Sequence, residues 1–469
     1  MSADPAFSRN PGADEVLFLP LGGAGEIGMN LTLYGHDGAW LIVDIGITFG
    51  SDAFPEYDVL MADPAFIASR RQRLAGIVLT HGHEDHLGAL PHLWKRLKCP
   101  VYATPFTAAL ARYKLGRAGL ETVQVEEVGL GRCFDAGPFS VEYIGVTHSI
   151  PEPNGLLLHT PAGAVFHTGD WKLDDDPVVG RAYDADRLRS LSREPLLAMV
   201  CDSTNAVVPG RTPSEAGLLA PLLELTQAAA GRVLVTSFAS NVARLVTLAR
   251  VAAASGRRFG VVGQAMERMV AVARGTGYWP GDLPELVDAR HLGYLPPQEV
   301  FAVCTGSQGE SRSALARISA DRHRDLLLDP ADTVIFSSRV IPGNERSVTR
   351  VQQRLRARGV ELVTDAEAHV HVSGHPAADD LRRLYGWVQP PVAIPVHGTP
   401  RHLEANAAIA RDCHVPRVCL VENGDLCQLD PNGVRHIARV PTGRLTVAAD
   451  GALVPVSAAD LAAMRAAAC

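Results

Sequence analysis

The stretch Thr80–His86, reading T-H-G-H-E-D-H, constrains this chain more than any other. Four potential metal ligands, His81, His83, Asp85 and His86, fall within it. The apolar run Gly76-Ile77-Val78-Leu79 leads in, and Leu87-Gly88-Ala89-Leu90 follows. That is the pattern of a buried strand opening through a loop into a helix. Alternate residues of an extended loop point the same way, so His81 and His83 can share one cation. Asp85 and His86 lie past the turn and can face a second. Imidazole mixed with carboxylate suits zinc or manganese, whereas calcium takes oxygen throughout. A polar helix cap without metal is the competing account, and it leaves the density of ligands at one strand end unexplained.

Other strands end in the same kind of residue. The run from Phe139 to Thr147 delivers His148, Ala164 to His167 delivers Asp170, and Leu196 to Val200 delivers Asp202. Val392 to Val396 delivers His397. Ligands arriving from several strand ends assemble a site across a sheet edge. A carboxylate can bridge two cations and a neutral imidazole cannot. One site therefore takes His81, His83 and His148, the other Asp85, His86 and His397, with Asp170 shared. Two divalent ions, zinc foremost and manganese the alternative, would activate a hydroxide for a displacement at phosphorus or a carbonyl. Asp44 closes the strand Trp40–Val43. It either orients a ligand histidine or caps a turn. The glycine-rich Gly22-Gly23-Ala24-Gly25-Glu26-Ile27-Gly28 has no following Lys-Ser or Lys-Thr, so tight turning near the metals accounts for it better than a nucleotide site.

The chain has 469 residues, 47% of them hydrophobic, enough for large cores and two domains. Fifty-one acids against 44 bases give a formal charge of -7. Bulk charge thus gives nucleic-acid binding no support, although a local basic channel can sit on an acidic protein. The eight cysteines form no close pair and suit a reducing cytoplasm. No segment resembles a signal core or a membrane span, and residues 1–13 read as a loose tail.

From Arg211 onward strands and helices alternate, which predicts a parallel α/β domain of about 150 residues. Its strand ends are rich in Gly and Ser; Ser307 in Gly306–Glu310 and Asn344 in Pro342–Glu345 are placed to line a polar cleft. Arg312, Arg317, Arg339 and Arg346 either line a channel there or form an ordinary solvated face. The later stretch His371–His375 offers imidazole, serine hydroxyl and glycine N–H, the donors a phosphate oxygen requires. Val418–Glu422 and Asp425–Leu429 read as a hairpin around Asn423-Gly424. The tail after Gly451 holds one apolar helical run, Ala458–Ala468, and reads as peripheral.

Taken together, His81-Gly-His-Glu-Asp-His86, His148, His167-Thr-Gly-Asp170 and His397 resemble the metallo-β-lactamase fold. Thr236-Ser-Phe-Ala-Ser-Asn241, Cys304-Thr-Gly-Ser-Gln-Gly-Glu310, Ile341-Pro-Gly-Asn-Glu345, Val370-His-Val-Ser-Gly-His375 and Pro395-Val-His-Gly398 are similar to its β-CASP branch, and within it to the ribonuclease J family. The resemblance implies an α/β, four-layer αββα domain over 14–210 and 361–450, split by a β-CASP domain over 211–360 and preceded by the 1–13 tail. It implies a metal-dependent ribonuclease acting on single-stranded RNA, 5′-to-3′ as an exonuclease and also as an endonuclease. It implies a homodimer or homotetramer. Its metal ligands fall on the seven residues assigned above, and its β-CASP acid on Asp202. Its phosphate grip falls on His371, Ser373, Gly374 and His375, and its RNA channel on Ser237, Ser240 and Asn241. Catalytic roles are expected of Asp85, Asp170, Asp202 and His375.

The chain departs from the family pattern in three places. Residues 451–469 stand where the family continues into a separate C-terminal domain. Ser311 and Pro376 replace the family's Pro and Ala, and Pro376 has no N–H to offer. The alternatives are a related hydrolase acting on DNA or on a small ester or lactone, and a non-catalytic RNA-binding protein.

Overall fold

The structure, a computed structural model, describes residues 10–50, 54–341, 343–430 and 432–468. Pro342, Cys469 and residues 1–9 of the expected tail lie outside the described residues.

Alternation along the first strand explains how the chain makes layers. In Val16–Gly22, Val16 and Phe18 point to one face while Leu17 and Leu19 point to the other, and all four are buried. A strand apolar on both faces needs cover on both sides. It sits inside an eight-stranded sheet, ordered Gly433–Arg439, Asp425–Asp430, Val16–Gly22, Leu31–His36, Ala39–Val43, Leu74–Val78, Val101–Ala103 and Val125–Glu127. A seven-stranded sheet runs Arg417–Val418, Val392–Val396, Leu196–Asp202, Gly163–His167, Asn154–Thr160, Phe139–Gly145 and Cys133–Ala136. The inner faces share one core: Phe18, Tyr34, Leu41 and Val78 pack with Tyr143, Leu156, Leu158 and Val200. The outer face of the first sheet packs on helices Leu90–Leu97 and Pro105–Arg117. That of the second packs on Ala378–Val388 and Pro400–Asp412. The result is helix, sheet, sheet, helix, as the sequence led us to expect.

The inserted region is a five-stranded, all-parallel sheet ordered Arg258–Val262, Val300–Cys304, Val233–Thr236, Thr333–Phe336 and Glu361–Val363. Helices Val242–Ala254 and Gln264–Gly275 cover one face. Helices Ala314–Ser319 and Glu345–Ala357 cover the other. Both faces are buried, which is why these strands read as unbroken apolar runs.

Two sequence expectations fail near the C-terminus. Val418–Glu422 does not pair with Asp425–Leu429. Instead Arg417–Val418 joins the seven-stranded sheet beside Val392–Ala393, and the chain then crosses at Asn423-Gly424 into the eight-stranded sheet. There Asp425–Asp430 pairs with both Val16–Phe18 and Gly433–Arg439. Asn-Gly signals a turn without saying whether it joins partners or changes sheet. The helix Ala458–Ala468 is not merely peripheral. Asp460 accepts a 2.6 Å hydrogen bond from Tyr57, and Met464 is buried with Met29, Leu60 and Val456. Among the described residues, no helix is long and apolar enough to cross a membrane.

Candidate metal centre

The strand Leu74–Val78 ends just before Thr80, and His83 occupies the position ahead of the short helix Glu84–Leu87. This turn sets His81 and His83 on one side and Asp85 and His86 on the other. Two groups of side chains converge with their ligand atoms all within 4.8 Å of one another: His81, His83, His148 and Asp170, and Asp85, His86, Asp170 and His397. These are the two sets read from the sequence. Asp170 stands between them: its Oδ2 lies 3.8 Å from His81 Nε2, 3.9 Å from His148 Nε2 and 3.2 Å from His86 Nε2. Its Oδ1 lies 3.0 Å from His397 Nδ1. His397 Nε2 is 3.3 Å from Asp85 Oδ2.

A third group of the same tightness, Asp170, Asp202, His375 and His397, adjoins them. The sequence reading placed no metal on Asp202 or His375.

Among the described residues, His81 Nε2, Asp170 Oδ2 and His397 Nε2 are buried and have no hydrogen-bond partner. Orphaned polar atoms at this depth are costly. Three of them facing one small space is the arrangement a cation would satisfy. The donor set of imidazoles and carboxylates fits borderline divalent ions such as zinc.

The surrounding contacts fix each ring. Asp44, with φ 60°, accepts from His86 Nδ1 at 2.7 Å and from Thr80 N and Oγ1 at 2.8 Å each. This leaves His86 Nε2 facing Asp170. His148 Nδ1 donates to the carbonyl of Gly374 at 2.6 Å, turning Nε2 inward. A Cβ on Gly374 would stand 2.5 Å from the His148 ring, so only glycine allows this approach. Thr204 donates to Asp202 Oδ1 at 2.7 Å and meets His397 Nδ1 at 3.2 Å. His397 N donates to Gly23 O at 2.6 Å, which brings the glycine-rich turn against the site.

Electrostatics divides the histidines. Burial, then neighbouring imidazoles, holds His81 and His148 well below the ordinary histidine value. Burial pushes His83 down to about 4. These rings are neutral at pH 7, as ligands must be. Burial also opposes charge on His86, His375 and His397, but carboxylates outweigh it. Asp170 leads for His86 and His397, and Asp202 with Asp170 for His375, so all three are raised. His375 Nδ1 sits 2.9 Å from Asp202 Oδ2. Burial pushes the Asp202 carboxyl up, and His375 more than reverses this, leaving it below its usual range.

The remaining sequence-derived residues scatter. His371 is half-buried, with Nδ1 unpartnered; its pKa is held well below normal by burial, then by Arg244 and Arg339. Ser373 Oγ accepts from His375 N at 3.2 Å. Asn241 Oδ1 caps the helix Val242–Ala254 by accepting from Arg244 N at 2.8 Å. This residue, expected in the RNA channel, thus has its Oδ1 engaged in capping. Ser237 and Ser307 are buried at 2% exposure. Ser240 and Asn344 are half-buried, and Asn344 Nδ2 stands 3.5 Å from Gln308 Oε1.

Arg244 was missed in the sequence. Fully buried, it donates from Nε to Glu215 Oε1 at 2.5 Å and from Nη2 to Oε2 at 3.0 Å. Its Nη1 reaches Ser337 Oγ at 2.5 Å and the Val370 carbonyl at 3.4 Å, while Nη2 reaches the Val372 carbonyl at 3.4 Å. It thus ties the inserted sheet to the stretch that leads to His375. Its only sequence signal was a basic residue at the third position of a largely apolar helix that carries a second arginine, Arg250.

The comparisons agree with this geometry. Residues 25–176 match the metallo-beta-lactamase superfamily, 230–355 the ribonuclease J beta-CASP domain, and 343–416 the Zn-dependent metallo-hydrolase RNA specificity domain. A solved structure from Enterococcus faecalis, a protein of unknown function, superposes with a TM-score of 0.59 over 88% of this chain and 100% of its own, at 18% identity, and bears on the fold alone. Ribonuclease J of Sinorhizobium meliloti is 43% identical over 446 residues, covering 94% of this chain and 78% of the relative. Ribonuclease J of Mycolicibacterium smegmatis is 42% identical, covering 91% and 77%, and ribonuclease J 1 of Streptococcus pyogenes 36%, covering 95% and 84%. With its metal-site geometry and its inserted parallel sheet both accounted for, this chain belongs to the ribonuclease J family.

Proposed function

We propose that this metal-dependent ribonuclease removes nucleotides one at a time from the 5′ end of single-stranded RNA, and also cuts internally. The observation that carries this reading is the bond between His148 and Gly374: a metal ligand is held by the same loop that offers donors to a phosphate. A phosphate gripped by His371, Ser373, Gly374 and His375 would lie at a fixed distance from the metal ligands. A fixed distance from a terminal phosphate measures out one nucleotide per cleavage.

His81, His83 and His148 would hold one ion and Asp85, His86 and His397 the other, with Asp170 between. Bound there, the ions supply an activated water and neutralise charge developing on the phosphate. The chain's own residues do the rest. Asp44 and the Gly374 carbonyl fix the tautomers of His86 and His148. Asp202 holds the His375 imidazolium, whose proton is available for the departing 3′ oxygen. Zinc is the proposed metal, with manganese as the alternative. A homodimer in the cytoplasm is the proposed context, supported by family resemblance and by the absence of paired cysteines among the described residues.

The test is incubation of zinc- or manganese-loaded protein with 5′-monophosphorylated single-stranded RNA and matched DNA. Mononucleotides from RNA alone are expected. Internal fragments without mononucleotides would replace the exonuclease reading. A lactone hydrolysed while both polymers stay intact would sink the ribonuclease reading.

A further inference from the structure

The arginines of the inserted region divide into two populations. Several are paired with carboxylates: Arg232 with Asp329 at 2.7 Å, Arg244 with Glu215, Arg290 with Asp288 at 2.6 Å, Arg324 with Asp325 at 2.9 Å, Arg339 with Asp365 at 3.6 Å and Arg358 with Asp321 at 2.6 Å. Arg312 reaches Asp58 at 3.2 Å. Among those with no carboxylate within 4.0 Å in the described residues, four, Arg317, Arg322, Arg350 and Arg354, line one cavity of about 250 Å³. None of its lining residues belongs to the metal centre.

The cavity is built from separate elements. Arg350 and Arg354 stand one turn apart on the helix Glu345–Ala357, above the buried Val351. Arg317 and Arg322 form the opposite wall, from the helix Ala314–Ser319 and the segment after it. Gly309, at φ 74°, closes the lip. A Cβ there would meet the Ser347 backbone at 2.5 Å, so glycine is required for the loop to seat on the helix start. Like charges at i and i+4 repel by a few tenths of a kcal/mol. No acidic side chain lines the cavity to offset this. The field reaches neighbours: His323 is held below its usual value by burial first and by Arg317 next.

We infer that this cavity is a second anion site, outside the metal centre, that takes a chain of two or more phosphates. Four guanidiniums exceed what a single phosphate can neutralise, and their planar forks match phosphate oxygens. No aromatic side chain lines the cavity, so nothing stacks a base. It reads phosphate and not sequence. The phosphates come from either of two sources, consecutive phosphodiesters of a long RNA strand or a free polyphosphate. This goes beyond the nuclease reading, and its first test does not depend on it.

The test variant is R317A/R354A, which removes one exposed charge from each wall and leaves the core untouched; a matching thermal midpoint confirms folding. Inorganic triphosphate is titrated calorimetrically into metal-loaded wild type and variant at low salt. A tenfold or greater loss of affinity in the variant, largely restored in R317K/R354K, is expected. KM is then measured for 5′-monophosphorylated RNAs of about 4 and about 20 nucleotides, since single-strand grooves span about 4–16 nucleotides. A tenfold rise confined to the longer RNA assigns the cavity to the strand. Unchanged KM for both, with triphosphate affinity lost, assigns it to free polyphosphate. Triphosphate affinity within twofold of wild type overturns the proposal, whether or not the protein cleaves RNA.

Discussion

The metal centre and the inserted sheet look alike in sequence: in both, apolar strands end in short polar runs. Their atoms have opposite fates. At the metal centre, buried ligand atoms of His81, Asp170 and His397 remain without partners and face one another. In the insert, the corresponding residues are already engaged. Asn241 caps a helix, Ser237 and Ser307 are buried, and Arg244 is hydrogen-bonded to Glu215 and to four backbone or hydroxyl oxygens. Polar residues left unsatisfied in a folded core mark where something else binds, while satisfied ones mark how the fold holds itself.

That contrast can be broken by substitution. Asp170→Ala should abolish RNA cleavage, by about a thousandfold or more, because both ions lose a ligand. Metal content should fall with it. Its thermal midpoint should match that of chelated wild type, because Asp170 contributes mainly through bound metal. A variant that keeps both ions by elemental analysis would remove Asp170 from its bridging role. Arg244→Ala should do the reverse, retaining metal while losing about 3–5 kcal/mol of stability, since Glu215 is left buried and unpaired. Its KM for RNA should rise as the Val370–Val372 backbone is released, and Arg244→Lys should recover part of both. Unchanged denaturant midpoints would show that the tie is dispensable.

Smaller effects sharpen the comparison. His167 lies beneath the site, its Nδ1 2.9 Å from Tyr34 Oη, and burial pushes it down to about 4 from 6.5. Because its folded pKa is depressed, the unfolded chain takes up the proton first. Stability is therefore complete above pH 6.5 and declines as pH falls toward 4, by at most about 3 kcal/mol. His167→Gln should flatten that part of the stability–pH curve relative to wild type, measured by urea unfolding. Asn241→Ala should cost about 1 kcal/mol, the usual value of a helix cap. It should leave cleavage unchanged; a large rise in KM would place Asn241 in the RNA path.

Much of this was legible beforehand. The strands leading to His81, His148, Asp170 and His397 are apolar runs of ordinary length, and ligands at their ends could be read off directly. Thr80, Thr204 and Asn30 could not. They donate to Asp44, Asp202 and the Asp85 carbonyl respectively, and Thr and Asn are too common in loops to stand out. The failed hairpin at Asn423-Gly424 has a similar cause. Local turn chemistry was right, but partner choice is decided by which sheet still has an open edge. Arg244 was illegible because its value depends on Glu215, Ser337 and Val370, which only the tertiary fold assembles.

The position of His397 has a consequence for synthesis. Ribosomes emit the chain from its amino end, so the T-H-G-H-E-D-H cluster emerges long before the strand Val392–Val396 that carries the last ligand. Until that strand inserts beside Leu196–Asp202, the second ligand group lacks His397. A nuclease made in this order completes its expected ligand set only after residue 397 has been translated.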